Sequence, residues 1–126
     1  MAARQDEGAA GDAVRARPGG QGARICGGRV IHHLVLFRLR PGVAREDARL
    51  ARVLAQMDEL PGRIGLIRGW EHGWNLVADA QAWDYGLHAQ FGDRAALEAY
   101  FDHPAHLPVL AQWEEIAELA FCDFEE

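Results

Sequence analysis

The dense apolar run from Val30 to Leu39 predicts a β-strand. One face would carry Ile31, His33, Val35, Phe37 and Leu39, and the other Val30, His32, Leu34, Leu36 and Arg38. Because both faces are largely apolar, we expect both to be covered in the folded protein.

A helical pattern follows the turn at Pro41-Gly42 and predicts a first helix from about residue 44 to 59, ending before Pro61-Gly62. Its apolar face would consist of Leu50, Val53, Leu54, Met57 and Leu60. Glu46 and Asp47 would lie in the first turn, where the helix dipole favours acidic side chains.

The middle of the chain predicts two more strands. Residues 64–74 form the first of them, and their glycines at 65, 69 and 73 indicate a bulge or a twisted edge. After a loop at 75–82, apolar residues alternate again from Tyr85 to Phe91. Asp93 would cap a second helix that Pro104 ends.

The remaining residues predict a helix over 107–119 and a closing strand over 120–125. The order βαββαβ with a short extra helix is typical of the α+β, ferredoxin-like fold. Such a sheet covers one face with its own helices. The other face, with Leu34 and Leu36, would be covered by a second copy, so we expect a homodimer in the form of a dimeric α/β barrel.

Residues 1–28 differ in composition from the domain predicted at 29–126. They contain seven glycines and few aliphatic residues, too little apolar surface to offset the entropy of ordering. We therefore expect a disordered tail. An alternative is that translation starts at Val30, so that the upstream segment is a leader or a wrongly assigned start.

Composition excludes several classes of function. A length of 126 residues with 49% hydrophobic residues suffices for one packed domain, and no apolar run approaches a membrane span. The net charge is −6 and there is no lysine, which argues against nucleic-acid binding. Without an apolar secretory segment, Cys26 and Cys122 are interpreted as free thiols of a cytoplasmic protein.

Three side chains predict acid–base chemistry beside the core. His33 and Tyr100 would face each other across the interior, and His106 would follow the helix break at Pro104. Imidazole and phenol in an apolar pocket can exchange protons near neutral pH without a cofactor. We accordingly expect no cofactor. Metal binding is not expected either, because the adjacent His32 and His33 point to opposite faces of a strand and nothing completes a ligand set.

The segment from Tyr100 to His106 (Tyr-Phe-Asp-His-Pro-Ala-His), with a histidine in the first strand, resembles the stress-responsive A/B barrel domain family and its olivetolic acid cyclase type. The resemblance covers about residues 30–126 and extends to Gly73-Trp74-Asn75, Phe91-Gly92-Asp93 and Phe121-Cys122-Asp123-Phe124. It implies the dimeric barrel, a polyketide cyclase-like activity, and the roles of base for His106, partner for Tyr100 and pocket group for His33.

The expected ligand is a small hydrophobic molecule, β-keto or polyketide-like, that is cyclised or isomerised. Its pocket would be lined by Val35, Phe37, Leu54, Met57, Phe101, His103, Val109 and Trp113. The sequence departs from the cyclase type in the aliphatic residues of the first helix and in Leu107-Pro108, so the substrate should differ.

Two other classes of protein stay open. The histidines at 33, 103 and 106 could simply tie the helix end to the first strand by hydrogen bonds, as in a non-enzymatic, stress-associated dimer. A cofactor-independent monooxygenase of the related dimeric-barrel type would instead require a substrate whose carbanion reduces oxygen.

Overall fold

A computed structural model describes residues 29–126. The predicted tail at 1–28 lies outside the described residues. The strands are β1 (Ile31–Leu39), β2 (Ile67–Trp74), β3 (Tyr85–Phe91) and β4 (Ala117–Glu125), and the helices are α1 (Ala48–Arg63), α2 (Arg94–Phe101) and α3 (Leu107–Ile116). This is the predicted ferredoxin-like α+β plan, which is thereby confirmed.

The four strands form one antiparallel sheet in the order β2-β3-β1-β4. One face of this sheet packs against the helices and forms the core, as the alternation predicted: β1 buries Ile31, His33, Val35 and Phe37, and β3 buries Tyr85, Leu87, Ala89 and Phe91. The helices contribute Leu50, Val53, Met57, Leu60, Leu97, Tyr100, Val109, Trp113 and Ile116.

The opposite, outer face of the sheet is open. Leu34 is 36% exposed and Leu36 48%, both in the central strand β1. Phe124, opposite His32 in β4, is exposed as well, and its ring stacks on the His32 imidazole with centroids 4.9 Å apart. An apolar patch in the middle of a sheet is unusual for a monomer.

The predicted bounds of the first helix are wrong at both ends. Asp47 precedes α1 and caps it, since its carboxylate accepts a hydrogen bond from the backbone N–H of Arg49 at 2.9 Å. At the other end, Pro61 lies within the helix. Proline has no N–H to donate to the carbonyl of Met57, and the indole N–H of Trp70 donates to that carbonyl instead, at 3.0 Å. The helix therefore continues to Arg63.

This replacement can be tested with two variants. Trp70→Phe should lower the free energy of unfolding by roughly 1–2 kcal/mol, because it leaves the Met57 carbonyl unpaired. In a Pro61→Ala background the same change should lower the free energy of unfolding by less, because the N–H of residue 61 can then donate to that carbonyl. Urea unfolding of the four proteins would measure the coupling. Strictly additive effects would show that the indole and the proline are independent.

Two other boundaries also need correction. β2 begins at Ile67 and not at 64, because the N–H of Ile64 donates to Leu60 at the end of α1. The predicted bulge is confirmed between Ile67 and Gly69. Residues 117–119 belong to β4 and not to the last helix, since Ala117 already pairs with Leu39 of β1.

Candidate functional site

The three residues predicted to act in catalysis line one cavity between the sheet and the helices. It encloses about 30 Å³, with His33, Tyr100 and His106 in its wall. The other lining residues are Val35, Phe37, Met57, Leu60, Leu87, Val109, Leu110, Trp113, Leu119 and Phe121. This volume holds about one water molecule, whereas drug-sized ligands need several hundred Å³.

β1 positions His33, which is only 2% exposed. Its Nδ1 lies 2.5 Å from the carboxylate of Asp123, the residue opposite it in β4. An ionised carboxylate can only accept, so Nδ1 donates and Nε2 is left as the acceptor of the neutral ring. A carboxylate that fixes the tautomer of a buried imidazole and can stabilise its protonated form is the arrangement of many catalytic bases.

His106 is the N-cap residue directly before α3. Its Nδ1 donates to the backbone carbonyl of Phe101 at 3.1 Å, so that Nε2 is the acceptor in the neutral ring here too. Burial lowers the pKa of His106, and the neighbouring His33 and His103 add to this effect, while the hydrogen bond to Phe101 opposes it. The ring is therefore neutral, and able to accept a proton, at pH 7.

Tyr100 connects the two histidines. Its ring centroid lies 4.2 Å from that of His106 and 5.7 Å from that of His33. Burial raises the pKa of the phenol well above its usual value, and the charge of Asp123 raises it further. Tyr100 thus keeps its proton and can serve as a hydrogen-bond donor but not as a base.

Trp113 also lines the cavity and has an unpaired donor. The side chain is 2% exposed and packs on Phe37 with ring centroids 4.0 Å apart. Within residues 29–126 its indole N–H is the buried side-chain group for which no hydrogen-bond acceptor is found. A buried donor without an acceptor lowers the free energy of unfolding by roughly 1–3 kcal/mol. Packing alone therefore does not explain an indole at this position.

The predicted ligand-binding residues divide into two groups. Val35, Phe37, Met57, Val109 and Trp113 line the cavity. Leu54, Phe101 and His103 do not. Leu54 packs at the edge of the core, and Phe101 meets the His33 ring edge-on, 5.5 Å away. His103 accepts a hydrogen bond from the N–H of Ala105 at 3.0 Å and so stabilises the turn before α3.

Asp123 is the site residue that the sequence analysis missed. The alternation of β4 places it on the same face as Phe121. Only the register between β1 and β4 shows that it lies opposite His33. No local pattern in the sequence reports this register.

Asp123→Ala should lower the free energy of unfolding by roughly 1–3 kcal/mol, because it leaves a buried imidazole N–H without its acceptor. Glu125→Ala is the matched control, since Glu125 is an exposed acidic residue of the same strand. Its effect should stay within about 0.5 kcal/mol. Chemical denaturation of both variants at pH 7 provides the comparison, and equal effects would contradict a stabilising role for the His33–Asp123 pair.

The lowered pKa of His106 predicts a dependence of stability on pH. The unfolded chain gains a proton at His106 near the ordinary value of 6.5, whereas the folded protein does so only at lower pH. Stability should therefore fall as the pH drops from about 6.5 through the folded pKa, since the unfolded state then binds more protons. His106→Gln should remove this part of the slope. Unfolding measured between pH 5 and 7.5 tests it, and parallel curves for the two proteins would refute it.

No cluster of three or more metal-ligating side chains occurs in the part of the chain that the structure describes. No helix between residues 29 and 126 is long and apolar enough to cross a membrane. The site consists of the two imidazoles of His33 and His106, the phenol of Tyr100 and the indole of Trp113, all lining a small apolar cavity.

The fold and cavity define a small ferredoxin-like α+β protein with acid–base groups enclosed between its sheet and helices. The family model of the stress responsive A/B barrel domain matches residues 31–126, and the chain belongs to this family. An uncharacterized protein of Streptomyces coelicolor is 36% identical over 96 residues, which span 76% of this chain and 99% of that protein.

Two solved structures have the same fold. A dimeric ferredoxin-like protein of unknown function from Bacteroides fragilis superposes with a TM-score of 0.64 at 28% identity, covering 77% of this chain and 96% of that one. Hydroxynitrile lyase from Passiflora edulis gives a TM-score of 0.68 at 14% identity, covering 77% and 93%. The second likeness concerns the fold alone.

Proposed function

We propose that this domain binds a small hydrophobic keto compound in its cavity and catalyses proton transfer at the carbon next to the carbonyl, leading to cyclisation or isomerisation without a cofactor. The observation that carries the proposal is the meeting of His33, Tyr100 and His106 around one apolar cavity. Removing a proton next to a carbonyl needs a neutral base and a donor to the oxygen that becomes negative. These side chains supply both.

In this proposal His106 is the base. Its Nδ1 proton is held by Phe101, its Nε2 can accept, and its lowered pKa keeps it neutral at pH 7. Tyr100 packs against it and stays protonated, so that it donates to the substrate oxygen. His33, fixed by Asp123, contributes a second acceptor to the pocket.

A ring-sized substrate requires the cavity to open. Phe121 is the wall residue best placed to move, because it is 57% exposed at the edge of the sheet while its ring stacks on His33. Displacing this one ring would open the cavity at the edge of the sheet.

We also propose that the protein is a homodimer joined through the outer face of the sheet. Leu34 and Leu36 are exposed there in the central strand. Ala120 and Cys122 of β4 pair with them and present small side chains to the same face, which allows close approach of a second sheet. The Bacteroides fragilis neighbour with the same fold is described as dimeric.

A non-enzymatic, stress-associated role is the second candidate. It is favoured by the small cavity volume and by the local hydrogen bonds of the histidines: His33 binds Asp123, His103 binds the N–H of Ala105, and His106 binds the Phe101 carbonyl. These bonds join β1 to β4 and the end of α2 to the residue before α3.

Exchange of α-protons distinguishes the two candidates without knowledge of the natural substrate. A panel of aryl ketones and β-diketones in D₂O would be followed by NMR with the wild-type protein, His106→Ala and His103→Ala. The proposal expects saturable exchange above buffer that His106→Ala abolishes and His103→Ala retains. Exchange no faster than in buffer for the whole panel would support the structural role. Oxygen consumption during turnover would instead point to the monooxygenase.

A further inference from the structure

The indole N–H of Trp113 is the group on which we build a further inference. It belongs to a side chain 2% exposed in the wall of the cavity, and no acceptor for it is found within residues 29–126. Unpaired buried donors are rare in native proteins, and each calls for an explanation. A phenylalanine would fill a core position without this cost.

Trp70 provides a comparison, because its indole N–H is hydrogen-bonded within the protein. Its N–H donates to the carbonyl of Met57 at 3.0 Å, a group that Pro61 leaves unpaired. The fold thus contains a half-buried tryptophan whose N–H is satisfied by the protein and a buried one whose N–H is not. The buried one lines the same cavity as the candidate acid–base groups.

We propose that the Trp113 N–H binds an oxygen atom of the substrate, so that the site selects molecules with a carbonyl and stabilises the negative charge that develops on its oxygen. This inference rests on the proposed function, because it requires the cavity to be the substrate site. An indole N–H only donates and keeps its proton at any physiological pH. It therefore binds a carbonyl and the enolate formed from it, and the stronger bond to the enolate lowers the barrier.

The donor complements the other groups of the cavity. Each of His33 and His106 donates its Nδ1 proton to the protein, which leaves only Nε2, an acceptor in the neutral ring. Acceptors alone would attract hydroxyl groups and C–H acids but could not hold a carbonyl oxygen. Trp113 and Tyr100 provide the donors, and the four side chains together match a ketone with an acidic α-hydrogen.

A pair of nearly isosteric probes tests the inference. Acetophenone has a carbonyl oxygen where α-methylstyrene has a CH₂ group. Their dissociation constants would be measured by NMR titration with the wild-type protein, Trp113→Phe and Trp70→Phe. We expect Trp113→Phe to reduce the preference for the ketone by roughly 10-fold, the value of one buried hydrogen bond. Trp70→Phe should leave the preference unchanged.

A direct measurement on the wild-type protein covers the case in which Trp113→Phe does not fold. The indole N–H resonance of Trp113 should shift downfield on addition of acetophenone and not of α-methylstyrene. If both probes bind but neither the preference nor this resonance depends on the carbonyl, the inference fails while the cavity remains a ligand site. If neither probe binds saturably, the proposed function fails and the inference with it.

Discussion

His106→Ala is expected to lower the rate of α-proton exchange by roughly 100-fold or more at pH 7, the usual effect of losing a general base. Residue 106 is the N-cap of α3, and its imidazole makes no capping hydrogen bond to that helix. The loss should therefore appear in kcat much more than in folding. Rates measured by NMR in D₂O, together with thermal melting, test both parts.

Two further variants sharpen this test. Tyr100→Phe should lower the rate less than His106→Ala, because it removes one hydroxyl and keeps the ring that packs on His106. His103→Ala should lower the melting temperature through loss of the bond to the Ala105 N–H, with little change in rate. If His106→Ala lowers only the melting temperature and leaves exchange unchanged, then His106 is a structural group and the catalytic assignment is wrong.

The second large effect concerns assembly. The wild-type protein should sediment at micromolar concentration with about twice the 13.9 kDa chain mass. Leu34→Arg should convert it to a monomer or an aggregate, because a guanidinium would be buried without a partner at the centre of the interface. Sedimentation velocity on both proteins gives the answer directly.

Leu76→Arg is the matched control for the dimer. Leu76 is a more exposed leucine, at 93%, but it lies in the loop after β2 and outside the sheet. This variant should remain dimeric. A monomeric wild-type protein would refute the barrel, whereas a dimer that tolerates Leu34→Arg would mean that another surface joins the subunits.

Much of the fold could be predicted because alternation and helical spacing report burial directly. The inward faces of β1 and β3 are confirmed residue by residue. The errors occur where a tertiary contact overrides a local signal. Pro61 would end an isolated helix, yet Trp70, nine residues later, supplies the missing donor. Residues 117–119 could continue a helix, but the unpaired edge of β1 draws them into the sheet.

The site was predictable only in part, for a related reason. The sequence and the family resemblance predicted that His33, Tyr100 and His106 share one site. In the structure all three line the same cavity. The position of Asp123 opposite His33 depends on the strand register, which no local pattern encodes. The unpaired N–H of Trp113 depends on the absence of an acceptor among all its neighbours. Such properties belong to the packed molecule and not to any segment of the chain.

The pairing of β1 with β4 also affects how the protein is made. His33 and Asp123 are separated by 90 positions in the sequence, and the N–H of Glu126 donates to the carbonyl of Val30 beyond them. Contacts between distant parts of a chain form slowly, because a long loop must close first. During synthesis, β1 leaves the ribosome early, and one of its edges keeps unpaired backbone N–H and C=O groups until β4 follows. The imidazole of His33 therefore acquires its carboxylate only after β4 has been translated.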